Sequence, residues 1–174
     1  MKTVNMLRFA FILSAAMLLA ACGSVRHAVC VVRPTAGNNC SGIVHFTQMG
    51  KAVKVEADIS GLAPDSQHAI HVHTYGDVSS DDGKSAGGHY NPGGHDHGLP
   101  TQSRRHAGDL GNLTADGAGR AQYVIEVNNI SIAGRRNPIL GRAIIIHAKH
   151  DTGAQPTGAA GARIGSGVIG VAKQ

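Results

Sequence analysis

From Val53 to Ile59, the apolar residues Val53, Val55, Ala57 and Ile59 alternate with Lys54, Glu56 and Asp58. A period of two marks a strand with one buried face and one wet face. Further β-rich runs lie at 27–33, 41–48, 68–75, 121–127, 142–148 and 167–172, and Gly, Pro and Asn punctuate the gaps between them. No segment carries a 3.6-residue apolar stripe. Many short strands with such punctuation predict an antiparallel sandwich or barrel. Aromatics are only 3 % of residues, Trp is absent and Gly numbers 24, which disfavours a helical bundle built on large aromatic anchors.

The N-terminus reads separately from the rest. Lys2 and Arg8 precede an apolar run from Phe9 to Leu19, too short to span a bilayer and shaped like a signal peptide. The run ends Leu19-Ala20-Ala21-Cys22-Gly23. Small residues directly before a Cys resemble a bacterial lipobox, in which the thiol is acylated and becomes the new N-terminus; ordinary cleavage near Ala21 is the other reading. The expected layout is a lipoprotein signal peptide over 1–21, a short tether over 22–26 and one domain over 27–174. The chain is then exported and held on a membrane through a lipid on Cys22, on the periplasmic side of an outer membrane. Without Lys2 and Arg8 the net charge falls from +5 to +3. No basic run of the kind that tracks phosphates is present, so nucleic acid is not an expected partner.

Eleven His in so short a chain is the compositional outlier. His71-Val72-His73 lies in a strand pattern, where a period of two puts both rings on one face. His89, His97, His106 and Asp109 follow in the spacing H-x7-H-x8-H-x2-D. Three imidazoles and a carboxylate can make a tetrahedral zinc site. His147 ends the run Ala143-Ile144-Ile145-Ile146 and is, taken alone, either a core histidine or a ligand. Two stretches fit no strand: 77–105, polar and rich in Gly, Pro and His, and 149–162, made largely of Gly, Ala and Thr. Loops of that length in a compact domain are usually functional or disordered.

Five motifs, in order, give the domain a family resemblance. They are A-I-H-V-H-T-Y-G-D (69–77), S-A-G-G-H-Y-N-P (85–92), R-H-A-G-D-L-G-N (105–112), L-G-R-A-I-I-I-H (140–147) and G-A-R-I-G-S-G-V-I-G (161–170). Together they resemble the copper/zinc superoxide dismutases from about His27 to the end. The resemblance implies an all-β, eight-stranded antiparallel Greek-key barrel, related to the immunoglobulin-like sandwiches, with two long functional loops. It implies one copper and one zinc ion per chain. Copper falls to His71, His73, His89 and His147, and zinc to His89, His97, His106 and Asp109. Asp151 matches the carboxylate that links His71 to His97. Arg163 matches the arginine that draws in superoxide, and in the family's scheme His89 leaves copper, is protonated and supplies a proton for peroxide. The implied activity converts superoxide to dioxygen and hydrogen peroxide by copper redox cycling, which protects the cell envelope. His27, His45, His68, His95 and His150 are left as surface or scaffold residues.

The match also has gaps. The family's disulfide would join a position near Gly83 or Lys84 to Ser166, and neither end is Cys. The loop 77–105 is then expected to be held mainly by His89 and His97, with the zinc site completed at His106 and Asp109. The loop 147–163 looks shorter than in eukaryotic members and lacks their Glu- and Lys-rich steering residues. These gaps keep open a second reading, a copper-buffering lipoprotein on a dismutase fold. A turn centred on Ala36-Gly37 would set Cys30 opposite about residue 43, which argues against a Cys30–Cys40 bridge. The family's dimer face maps onto Val29, Val31, Ile43, Tyr75, Gly76, Ile139, Leu140, Gly141, Val168 and Val171, so a homodimer is expected.

Overall fold

The computed structural model describes residues 25–173. The expected signal peptide, 1–21, and the expected acylation site, Cys22, lie outside the described residues. Eight strands run β1 (His27–Pro34), β2 (Ser41–Met49), β3 (Ala52–Ser60), β4 (Gln67–His73), β5 (Asp109–Thr114), β6 (Ala121–Val127), β7 (Ala143–His147) and β8 (Arg163–Val171). Their order is β5-β4-β7-β8-β1-β2-β3-β6, and every pairing is antiparallel. The β3–β6 and β4–β7 neighbours are not consecutive in the chain, which makes the topology a Greek key. The open edges β5 and β6 are drawn together where the Tyr123 hydroxyl donates to the Leu110 carbonyl at 2.7 Å. The sheet is thus a nearly closed barrel.

Alternation decides which face of each strand fills it. Val53, Val55, Ala57 and Ile59 all join the core, with Phe46, Ile70, Leu110, Leu113, Ile144, Ile146 and Ile169. β7 shows no alternation because both its faces are covered. Ile144 and Ile146 point into the barrel, while Ala143 and Ile145 pack against Ala86 of the long loop.

Beyond shifts of one or two residues at strand ends, the strand layout differs from the sequence reading in two places. β5 was not expected, since D-L-G-N reads as a turn; here Asp109, Leu110 and Gly111 are all buried, so no period of two survives. β8 starts at Arg163 rather than Gly167. Cys30 stands opposite Val44, one residue from expectation, and both Cys30 and Cys40 are buried free thiols. Burial pushes each of them up to about 12.

The loop after β4 is tied to the barrel more firmly than its histidines alone would manage. Backbone bonds join Ala36 to Asp81, Tyr75 to Ala86, Thr74 to Gly88 and Tyr90 to Val72, each within 2.8–3.0 Å. The Arg142 guanidinium lies over the Tyr90 ring at 3.5 Å and donates to the Thr74 carbonyl at 2.6 Å.

Candidate metal centre

With Ile70 and Val72 in the core, alternation turns His71 and His73 to the opposite face of β4, beneath the loop. Their ring centroids lie 6.5 Å apart. β7 delivers His147 at its end, and a single bridge to His73 brings in His89. His71, His73, His89 and His147 form one buried cluster, and His89, His97, His106 and Asp109 form a second, each with donor atoms within 4.8 Å of one another. His89 belongs to both. Asp151 closes a third group with His71 and His97.

Hydrogen bonds fix the ring tautomers. His71 Nε2 and His97 Nε2 donate to the two oxygens of Asp151 at 2.9 and 2.8 Å. His73 Nδ1 donates to the Gly87 carbonyl at 2.9 Å and His147 Nδ1 to the Gly161 carbonyl at 3.3 Å. In its neutral form each ring therefore keeps a lone pair on its other nitrogen. Those four atoms, His71 Nδ1, His73 Nε2, His147 Nε2 and His97 Nδ1, are buried without a hydrogen-bond partner. Leaving four acceptors dry and unpaired is costly, and a metal ion is the group that satisfies them.

Four donor distances in the second cluster are close to the edges of a tetrahedral site. Asp109 Oδ1 lies 3.0 Å from His89 Nδ1 and 3.2 Å from His106 Nδ1. Asp109 Oδ2 is 3.1 Å from His97 Nδ1, and the His106 and His89 Nδ1 atoms are 3.3 Å apart. A tetrahedron with bonds of about 2.0 Å has edges of about 3.3 Å. The His97 contact is close enough for an ion pair yet misaligned as a hydrogen bond, as expected of two donors turned toward a shared cation.

The match to known families is now decisive. The copper/zinc superoxide dismutase family model matches residues 40–169. The chain belongs to the copper/zinc superoxide dismutase family. It is 44 % identical over 140 residues to the "Superoxide dismutase [Cu-Zn]" of Paramecium bursaria Chlorella virus 1, covering 76 % of this chain and 74 % of that one. Members of the family use one copper and one zinc, and the two clusters offer donors for both.

Burial and neighbouring charge pull these imidazoles in opposite directions. Burial holds His71, His73 and His147 well below the ordinary imidazole range, at about 4, 2 and 3, so all three rings are neutral at neutral pH. His97 is opposite in sign. Burial disfavours its charge, but Asp109 and Asp151 outweigh that and raise it to about 9. Burial would raise both carboxyls, yet Asp109, bonded to His89 and close to His97, and Asp151, bonded to His71 and His97, are held well below the usual carboxylate range. In the metal-free protein a proton on His97 occupies the place of a cation.

Arg163 is the first residue of β8 and shares a small mouth of about 140 Å³ with His73, His89 and His147. Its Nη1 and Nη2 donate to the carbonyls of Gly83 and Gly87 at 2.6 and 2.7 Å. Every expected site residue within the described region is thus in or beside the centre.

Some functional residues escaped the sequence reading. Asn112 clamps Asp151 from both sides, donating to its carbonyl at 3.0 Å and accepting from its N–H at 2.6 Å. Gly158 leaves space for the Asp151 carboxylate. His68, taken as surface or scaffold, is buried scaffold, and its Nδ1 donates to the His147 carbonyl at 2.8 Å. The Gly87 and Gly161 carbonyls orient two ligands, but a backbone acceptor leaves no signature in residue type.

Proposed function

We propose that His71, His73, His89 and His147 hold copper, that His89, His97, His106 and Asp109 hold zinc, and that Arg163 receives the anionic substrate. The reaction is the dismutation of superoxide, two of which with two protons give dioxygen and hydrogen peroxide. Copper held by His71, His73, His89 and His147 would supply the one-electron redox chemistry that zinc cannot. The four buried, unpartnered ring nitrogens carry the reading.

The protein's own part is positioning. Arg163 has five N–H donors, and carbonyls hold two of its nitrogens in place, so the remaining donors face an anion without rearrangement. His89 keeps Nδ1 beside Asp109, which leaves Nε2 as the atom that carries a proton to peroxide. The mouth is wide enough for a diatomic anion, whereas a copper store needs neither an opening nor a fixed cation beside it.

Loading the purified protein with copper and zinc and then measuring metal content and superoxide-dependent turnover tests the assignment. The expected result is one of each metal per chain with turnover. Zinc alone at every His position after copper loading would overturn it.

The same reading includes export, acylation of Cys22 and residence on the periplasmic side of an outer membrane, where the enzyme protects the envelope. Its support is the Leu19-to-Gly23 motif, and acyl groups on the N-terminal peptide of the exported protein, measured by mass, are the test. It also includes a homodimer. Val31, Ile43, Tyr75, Val168 and Val171 are exposed apolar side chains on the expected face, whereas Ile139 lies in the core and takes no part. A dimeric mass at micromolar concentration is expected, and a strictly monomeric one would exclude this face as an interface.

A further inference from the structure

Fourteen Lys and Arg remain once Lys2 and Arg8 are set aside, and along the sequence they look scattered. The fold gathers four of them. Arg26, Lys51, Arg135 and Arg136 line one cavity of about 720 Å³ whose wall contains no carboxylate. These four exceed the +3 surplus of the whole mature chain. All four are exposed, and none is among the described ion pairs, which use other Lys and Arg residues. The Ile130 and Val25 side chains add apolar wall to the same cavity. The metal centre contributes none of its residues.

The position of this cavity points to its occupant. Val25 is part of its lining and lies three residues from Cys22. Three peptide units reach at most about 11 Å, so an acylated Cys22 would bring lipid headgroups to the rim. Clustered Lys and Arg beside a membrane anchor attract anionic headgroups, and each cation adds to the binding. We propose that this basic pole docks on anionic phospholipid and supplies a second attachment beside the acyl chain.

Docking would also orient the enzyme. The pole lies where β1 begins and β2 ends. Arg163 packs at the other end of that hairpin, where the Thr35 hydroxyl donates to the Arg163 carbonyl at 2.7 Å. Eight residues of strand span about 25 Å. With the basic pole on the bilayer, the copper mouth faces away from it.

The inference rests on the Cys22 anchor only for its choice of a membrane, so the test removes the acyl chain. The processed chain from residue 22, with Cys22→Ser, is sedimented with vesicles of phosphatidylcholine alone or mixed with phosphatidylglycerol. Binding is expected only to the mixed vesicles and should weaken as salt is raised. At roughly fivefold per cation, Arg135→Ala with Arg136→Ala should cut it about thirtyfold and leave dismutase turnover unchanged. Equal binding to both vesicle types, or binding indifferent to the double substitution, would overturn the proposal. Release by inorganic phosphate at matched ionic strength would overturn it too, assigning the cavity to a soluble anion. Missing acyl groups on native Cys22 would defeat the anchor alone and leave the vesicle result standing.

Discussion

A side chain at Gly158 would have nowhere to go. Its Cβ would fall 2.2 Å from Asp151 Oδ1 and 2.9 Å from His97 Nε2, on a backbone at φ +77° that favours glycine. Asp151 must then leave His71, His97 or both. Gly158→Ala should weaken affinity for both metals by roughly tenfold to a hundredfold, as losses of ligand-orienting partners do. Competition with a chelator would read this, and unchanged affinities would show that Asp151 is not needed to orient the two rings. Arg163 offers a second test. Arg163→Glu should lower turnover by about tenfold or more with metal content intact, whereas Arg163→Lys keeps the charge but not the planar fork that reaches both carbonyls. Turnover of the unaltered enzyme should fall with salt and that of Arg163→Glu should not. The six imidazoles and Asp109 were legible because their side chains carry the chemistry and their spacing survives in sequence. Asn112 was not, since its role exists only once Asp151, 39 positions along the chain, is folded against it, and neither was Gly158, whose role exists only once its loop curls back over Asp151.

Among the elements, the long loop tests how much order metal supplies. Its first part, through residue 90, is pinned by Arg163, by the Arg142–Tyr90 stack and by the backbone bonds to β4 and the β1–β2 turn. Beyond that, His97 N–H donates to Gln155 Oε1 at 3.0 Å and Gly98 N–H to Asp109 Oδ2 at 3.1 Å, and both partners belong to the metal surround. Chelation should therefore speed amide hydrogen exchange strongly over residues 94–105 and little over 81–90. Equal protection in both states would mean that the barrel orders the whole loop. Alternation exposed β3 at once, because one face is wet. β5 and β7 are covered on both faces, so β5 looked like a turn and β7 like an undivided apolar run.

For the whole molecule, the buried histidines set an acid limit on the metal-free state. His71, His73 and His147 titrate near 4, 2 and 3 when folded and near 6.5 when unfolded. As pH falls below about 6.5 the unfolded chain gains protons that the folded chain refuses, so stability declines toward pH 4. His97, raised to about 9, contributes stability that is full below 6.5 and lost as pH rises through 9. The chelated protein's Tm should therefore peak between these slopes, near neutrality, and a flat profile from pH 4 to 7 would contradict the burial of neutral imidazoles. The basic pole was illegible for a different reason: its cations come from three separate segments that only the closed barrel unites. The thiols carry a wider consequence. Cys30 and Cys40 are free and buried, and the loop is tied down by Arg163, Arg142 and backbone bonds. Mild reductant should barely move the Tm of the loaded enzyme, and a marked drop would reveal a bridge. With both thiols of the described residues free, closing the barrel calls for no thiol oxidation, so loading with copper and zinc should complete the enzyme equally in oxidising and in reducing buffer.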